Sequence, residues 1–364
     1  LVKEVRDCFT KPVLVAGRMD NMDMAVEAVN SHLIDGVGLG RPLLADPDYC
    51  NKVRSGQLAQ IRPCLGCHDG CFGRLLQSGL GSCAVNPECG REDTVGIRKA
   101  DQKKKVVVVG GGPGGLEAAR VSALRGHDVT LLEAKDQLGG ALVIAGVPEF
   151  KEDDRALVAW YTEELNRLGV DVRLNTKATK ETIAQLKPDT VLMAEGSTPV
   201  IPKIDGVDNA VLAQDVMLGN VEAKDNIIVI GGGLVGCELS LHLAQNGKKV
   251  TIVEALPDIL KSGSPMPPMN EFMLRDLLAF HKVEIVAGAK VTAIAPDGLT
   301  YEKDGETKTL SGDQVVLSIG YRSTHSLFDE LKYDYAEIYN LGDSRQVRNI
   351  RGAIWDAYEV ARSL

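Results

Sequence analysis

Two stretches of the chain share one pattern of apolar and polar positions. The run KKVVVVG at 104–110 leads through a glycine turn and an amphipathic stretch to TLLEA at 130–134. The pattern returns at 225–255, from DNIIVIG to TIVEA. Short continuous apolar runs bounded by glycine predict buried strands, and the mixed segment after each predicts a helix. Each copy therefore reads as the opening of a doubly wound, mostly parallel α/β sheet. Ahead of them, KPVLVAG (11–17) predicts a short strand, residues 22–31 a helix, DGVGLG (35–40) a second strand and turn, and residues 45–56 a closing helix. That is the end of an α/β repeat. The tail, 339–364, predicts a strand, a Gly-Asp turn and a final helix. The basic run Arg98 to Lys105 reads as a solvated linker.

The two glycine turns carry the first chemistry. A pyrophosphate needs orphan N–H groups at a helix start and the positive end of the helix dipole. Gly110 and Gly231 supply the tight turn after the strand, and Gly112 and Gly233 let the backbone approach phosphate. Gly115 and Gly236 let the helix pack on the strand. Glu133 and Glu254 each follow 23 residues after the first glycine, where a carboxylate bonds ribose hydroxyls. One such motif is weak; two in context predict two dinucleotides. A carboxylate at Glu254 repels a 2′-phosphate, which favours NAD(H), although Lys248 and Lys249 lie nearby.

Five of the eight cysteines fall between Cys64 and Cys89. The spacing Cys64-x2-Cys67-x3-Cys71-x11-Cys83 has a single C-x2-C knuckle followed at once by a third cysteine. Zinc sites usually pair two knuckles. Three thiolates on one loop and a fourth at Cys83 suit an iron–sulfur cubane, with structural zinc as the alternative. Cys89 reads as a free thiol, and Cys8, Cys50 and Cys237 as buried or half-buried bystanders. His68 reads as a neighbour of the site before a ligand. After Cys89 only Cys237 remains, which argues against dithiol chemistry. The net charge of −9 and 4% aromatic residues disfavour nucleic acid. Apolar runs are strand-sized, so no membrane span is expected, and the chain reads as cytoplasmic. It begins with Leu1, which reads as a piece of a longer polypeptide.

Together these residues resemble the family of 2,4-dienoyl-CoA reductase, 2-enoate reductase and trimethylamine dehydrogenase, Old Yellow Enzyme-like iron–sulfur flavoproteins. The resemblance runs over the whole chain and corresponds to the C-terminal portion of that family. The cysteine run CLGCHDGCFGRLLQSGLGSCAVNP is its most specific part. The resemblance implies two nested Rossmann-like FAD/NAD(P)-binding domains, preceded by an iron–sulfur segment and the last strands of a TIM barrel. Residues 1–56 would be the barrel remnant, 57–103 the cluster segment, 104–222 with 321–364 the FAD domain, and 223–320 the NAD(H) domain. Ala194 to Pro199 and Ser318 to Arg322, with Gly320, resemble the crossovers between the nested domains. Gly342 and Asp343 resemble the turn whose Asp takes the ribityl chain. The family's FAD contacts would fall on Asp69, Gly114, Gly140, Ala141, Lys151 and Ala178. Its FMN phosphate site would fall on Arg18, Gly40 and Arg41, at barrel strand ends where phosphate is expected.

The resemblance implies an electron chain from NADH through FAD and a 4Fe–4S cluster to FMN, ending on the activated C=C bond of an enoate or enoyl-CoA. The barrel is too short to close, so the family's proton donor and substrate pocket lie outside this chain and no catalytic acid is assigned. Three rivals stay open: an amine dehydrogenase with ADP in the first site, a glutamate-synthase-like electron-input subunit, and a redox-sensing module. A homo-oligomer is the expected assembly if barrel surfaces mediate it.

Overall fold

A computed structural model of the protein describes residues 2–77 and 79–364. The two glycine repeats each open a five-stranded, wholly parallel sheet. The first has the spatial order Ile338–Asn340, Thr190–Met193, Lys105–Val109, Asp128–Leu132, Asp171–Arg173. The second has the order Glu284–Ala287, Lys249–Glu254, Asn226–Ile230, Gln314–Leu317, Ala210–Leu212. In both, the strand before the glycine turn is central and its Val and Ile side chains are buried on both faces, which is why these runs lack polar alternation.

The last strand of the first sheet comes from the C-terminal tail, so the second sheet sits inside the first in the sequence. The expected crossovers meet. Ser197–Pro199 and Tyr321–Ser323 pair antiparallel, Thr198 opposite Arg322. The switch comes earlier than expected on the way out. Ala210–Leu212 and the helix Ala213–Met217 lie before residue 223, yet the strand pairs with Val315–Leu317 in the second sheet. A parallel edge strand needs only a short ladder, too weak a signal to assign from three apolar residues.

Helix Pro113–Arg125 is buried between helices Glu152–Arg167 and Ile350–Ala361. Ala118 and Ala119 allow the close approach, and Leu116, Tyr161 and Tyr358 fill the space with no measurable exposure. The cysteine segment joins the same core through Cys83, Val85 and Cys89. Before it, Leu14–Ala16 and Gly36–Gly38 pair in parallel, with helix Met22–Asn30 between them, capped by Asn21. The helix expected at 45–56 is the shorter Tyr49–Arg54, preceded by a separate helix Arg41–Ala45 that ends where Asp46 turns extended ahead of Pro47. A three-stranded antiparallel sheet, Lys290–Ala295, Gly298–Lys303 and Glu306–Ser311, covers one side of the second unit. Among the described residues no helix is long and apolar enough to cross a membrane.

Candidate functional site

Both glycine turns are built alike. Gly110 has φ +98° and Gly231 φ +107°, and a Cβ on either would strike the carbonyl of Ala194 or Ser318 on the neighbouring strand. Gly115 and Gly236 press against the carbonyls of Gly110 and Gly231, so the helix can start only where these residues are glycine. Gly112 and Gly233 are the extended caps of helices Pro113–Arg125 and Leu234–Gln245. Around Gly112 the nearest atom to a Cβ would be Gly140 Cα at 3.9 Å, an ordinary contact, and the residue lines the cleft. Glycine backbone at a helix N-terminus is the kind of surface that receives a diphosphate.

The two acids do more than the spacing implied. Glu133 Oε2 accepts the Gly111 N–H at 2.6 Å, and Glu254 Oε2 accepts the Gly232 N–H at 2.6 Å. Their other oxygens accept the N–H of Lys135 at 2.8 Å and of Leu256 at 2.7 Å. Each carboxylate is buried and ties its turn to the strand beside it. A carboxylate has about four lone-pair sites, so room remains for a ribose hydroxyl.

Both turns face one cleft of about 2150 Å³. Its walls include Gly110, Gly112, Gly114, Gly115, Glu133, Gly140, Ala141, Lys151 and Ala178 from the first unit. Gly231, Gly233, Glu254 and Gly320 line it from the second, and Gly342 and Asp343 from the tail. Arg18, Arg41, Cys67 and Asp69 reach it as well. Gly236 and Gly40 do not. Gly236 is spent on helix packing, and Gly40 caps the helix Arg41–Ala45 without facing the cleft. Gly140 backs onto Gly112, and Gly114 lies 3.7 Å, measured from where its Cβ would be, from Gly342. The tail turn is thus brought against the first glycine loop. Asp343 accepts the Arg348 N–H at 3.0 Å, and burial pushes its carboxyl up.

Several charged residues of the cleft already have partners. Lys151 bonds Glu238 of the second unit at 2.5 Å, with Asp154 3.9 Å away. Burial pulls Lys151 down, but Glu238 and Asp154 outweigh it and the ammonium is held above its ordinary value. Arg18 pairs with Asp153 at 2.8 Å. Asp69 accepts from Asn349 at 3.0 Å and pairs with Arg351 at 3.2 Å. Glu238, Asn349 and Arg351 were not among the expected site residues. Only Glu238 had a sequence signal, five residues past Gly233 on a helix that opens into the cleft.

Cys64, Cys67, Cys71 and Cys83 all line a second, small cavity. The loop closes tightly: a Cβ on Gly70 would strike the backbone at Cys83 and Ala84. Burial pushes the Cys67 thiol up to about 12 and the Cys83 thiol up to about 11. Opposing this, the backbone N–H of Asp69 points at Cys67, and those of Val85 and Asn86 at Cys83. Buried thiols met by N–H donors are suited to an anionic state that a metal group stabilises. Among the described residues no three His, Cys, Asp or Glu side chains converge on one point as ligands of a single ion. His68 sits at φ +56° between Cys67 and Cys71, with Nε2 2.8 Å from Arg41 Nη1 and Nδ1 2.7 Å from Asn270 Oδ1. Arginine only donates, so Nε2 accepts and Nδ1–H donates to Asn270. Cys237 and Cys89 are buried, but Cys8 and Cys50 are exposed, contrary to expectation, because both lie on short peripheral helices.

Fold and cleft together define a two-dinucleotide α/β oxidoreductase. The pyridine nucleotide-disulphide oxidoreductase profile matches residues 88–187 and 178–340. The chain is 45% identical over 364 residues to cinnamate reductase of Clostridium sporogenes, covering all of this chain and 54% of that one. It is 38% identical over 371 residues to NADH oxidase of Thermoanaerobacter brockii, covering 99% and 56%. A solved 2-naphthoyl-CoA reductase with 2-naphthoyl-CoA superposes with a TM-score of 0.94 at 31% identity, over 100% of this chain and 56% of that one. The chain belongs to the pyridine nucleotide-disulphide oxidoreductase family, in the group of 2,4-dienoyl-CoA reductase, 2-enoate reductase and trimethylamine dehydrogenase that its motifs resemble. It spans about half the length of the curated relatives it matches.

Proposed function

We propose that this chain is the nicotinamide-oxidising part of an enzyme that reduces the activated C=C bond of an enoate or enoyl-CoA. When bound, NAD(H) would supply hydride to FAD, and a 4Fe–4S cluster and FMN would serve to relay electrons to the substrate. The chain's own residues hold these groups in order. Gly110, Gly112 and Gly115 hold the FAD diphosphate at the start of helix Pro113–Arg125, with Glu133 on the ribose and Asp343 beside the ribityl chain. Gly231, Gly233 and Glu254 hold NAD(H) in the same way across the cleft. Cys64, Cys67, Cys71 and Cys83, which line one cavity, would ligate the cluster. Arg18 and Arg41 face the FMN phosphate of a barrel to which residues 1–56 contribute.

One observation carries the reading. The dinucleotide cleft and the cysteine cavity share a wall: Arg41, Leu65, Cys67, His68 and Ala84 line both. A group held by the four thiols would therefore adjoin the cleft in which a flavin would bind. The relatives named as reductases of cinnamate and naphthoyl-CoA support the substrate class. The test is an anaerobic preparation assayed for released flavin, iron and sulfide, and for NADH-dependent dye reduction. Flavin with four irons and steady NADH turnover is expected. Zinc in place of iron, or no flavin, would overturn the proposal.

A further inference from the structure

Arg62 is a half-buried cation that no carboxylate meets directly. It lies two residues before Cys64, and its Nη1 donates to the Val85 carbonyl at 2.9 Å, two residues after Cys83. Val85 lines the cysteine cavity. The guanidinium is thus pinned between the segments that carry the first and last thiols. It stacks over the Trp160 ring, 4.7 Å from the centroid, while Arg120 approaches the same ring at 5.7 Å. Glu117, in the same core, gives both oxygens to Arg120 at 2.8 Å. Asp46 spends Oδ2 on Lys52 and on the backbone N–H of Arg62. Among the described residues no carboxylate forms an ion pair with the Arg62 guanidinium.

A buried charge without a counter-charge is costly, and the face of one indole offsets only part of that. The missing anion has a candidate next door. A cubane bound by four thiolates carries net negative charge, which grows by one when it accepts an electron. A fixed cation beside it favours the reduced form. Arg41 also faces the thiols, but it opens onto the cleft, where solvent or a bound phosphate screens it.

We propose that Arg62, pinned between the segments that carry the first and last thiols, is a counter-ion of the four-thiolate cluster and holds its reduction potential up. The inference rests on reading these cysteines as cluster ligands, and it adds a positioning residue outside the ligand set. The test uses the full chain purified without oxygen, as wild type, Arg62→Gln and Arg62→Lys. Iron, sulfide and an EPR-monitored potentiometric titration are read for each. Arg62→Gln is expected to lower the reduction constant about tenfold or more, 59 mV for one electron. Arg62→Lys, which keeps charge but loses the planar stack, is expected to stay near the wild-type midpoint. If Arg62→Gln holds no cluster but Arg62→Lys does, at the wild-type midpoint, the charge is still the operative property. An unchanged midpoint in Arg62→Gln at full iron content would overturn the proposal. So would equal shifts or equal iron loss in both variants, which would make Arg62 a packing residue. Wild-type protein without iron would instead sink the cluster reading itself.

Discussion

Glu133 and Glu254 each grip the middle glycine N–H of their turns. In the proposed function each also meets a ribose. Hydrogen bonds to a charged group contribute about 1.5–3 kcal/mol each. Glu254→Ser removes both bonds and the negative charge that opposes a 2′-phosphate. NADH binding should weaken and the preference for NADH over NADPH should fall by about tenfold, ~1.4 kcal/mol. Fluorescence titration with both nucleotides checks this, and an unchanged ratio would show that Glu254 does not face the adenosine ribose. Glu133→Ser should leave that ratio intact and lower the flavin retained through purification, read from absorbance of the denatured supernatant. The positions of these acids and glycines were legible because each depends on spacing within about twenty-five residues of chain. The grip on Gly111 and Gly232 was not, because it depends on the carboxylate turning back across the loop. Partners such as Asn270 for His68 or Glu238 for Lys151 were also hidden. They lie on segments far apart in sequence, and only the tertiary fold brings them together.

The strands and helices of the glycine repeats follow the expected pattern, because apolar runs and glycine turns are local signals. The antiparallel sheet at 290–311 was not expected, although Asp304-Gly305 carries a hairpin signature. Both residues have positive φ, +55° and +79°, and Lys303 pairs with Glu306 across a two-residue turn. The edge strand Ile338–Asn340 shows how the tail is tied back. Glu337, just before it, accepts Lys104 Nζ at 2.8 and 2.9 Å and the Thr190 hydroxyl. The bond from Lys104, and then that from Thr190, hold the Glu337 carboxyl below its ordinary 4.5. A carboxyl depressed in the folded state contributes stability above its unfolded value and loses it as pH falls through the folded one. The wild-type melting temperature should therefore fall more steeply than that of Glu337→Gln as pH drops below about 4.5. The two curves should run parallel between pH 6 and 8. Parallel curves throughout would mean that the pair contributes nothing to holding this strand.

At the scale of the molecule, the Lys151–Glu238 pair spans the cleft between the two sheet units. Lys151 was expected among the FAD contacts, where an ammonium can pair with a diphosphate; the structure gives it a carboxylate from the opposite wall. The two roles separate by experiment. If Lys151 serves the diphosphate, Lys151→Gln loses flavin and Glu238→Gln does not. If the pair sets the distance between the dinucleotide sites, both variants keep flavin and lose NADH turnover by similar factors. The double variant is then hardly worse than either single one. A half-buried pair that loses one partner leaves the other charge desolvated, and Asp154, whose carboxyl burial already pushes up, is 3.9 Å away. Lys151→Gln therefore leaves two acids facing each other, and should cost more stability than Glu238→Gln, by about 1 kcal/mol or more. We expect the second pattern, with a coupling energy of about 1–2 kcal/mol in a double-mutant cycle on NADH:dye turnover. The geometry favours this pattern. The lysine's short bond crosses between the walls, and a hydride donor and acceptor held on separate units, as proposed, would react only when those walls are held in register.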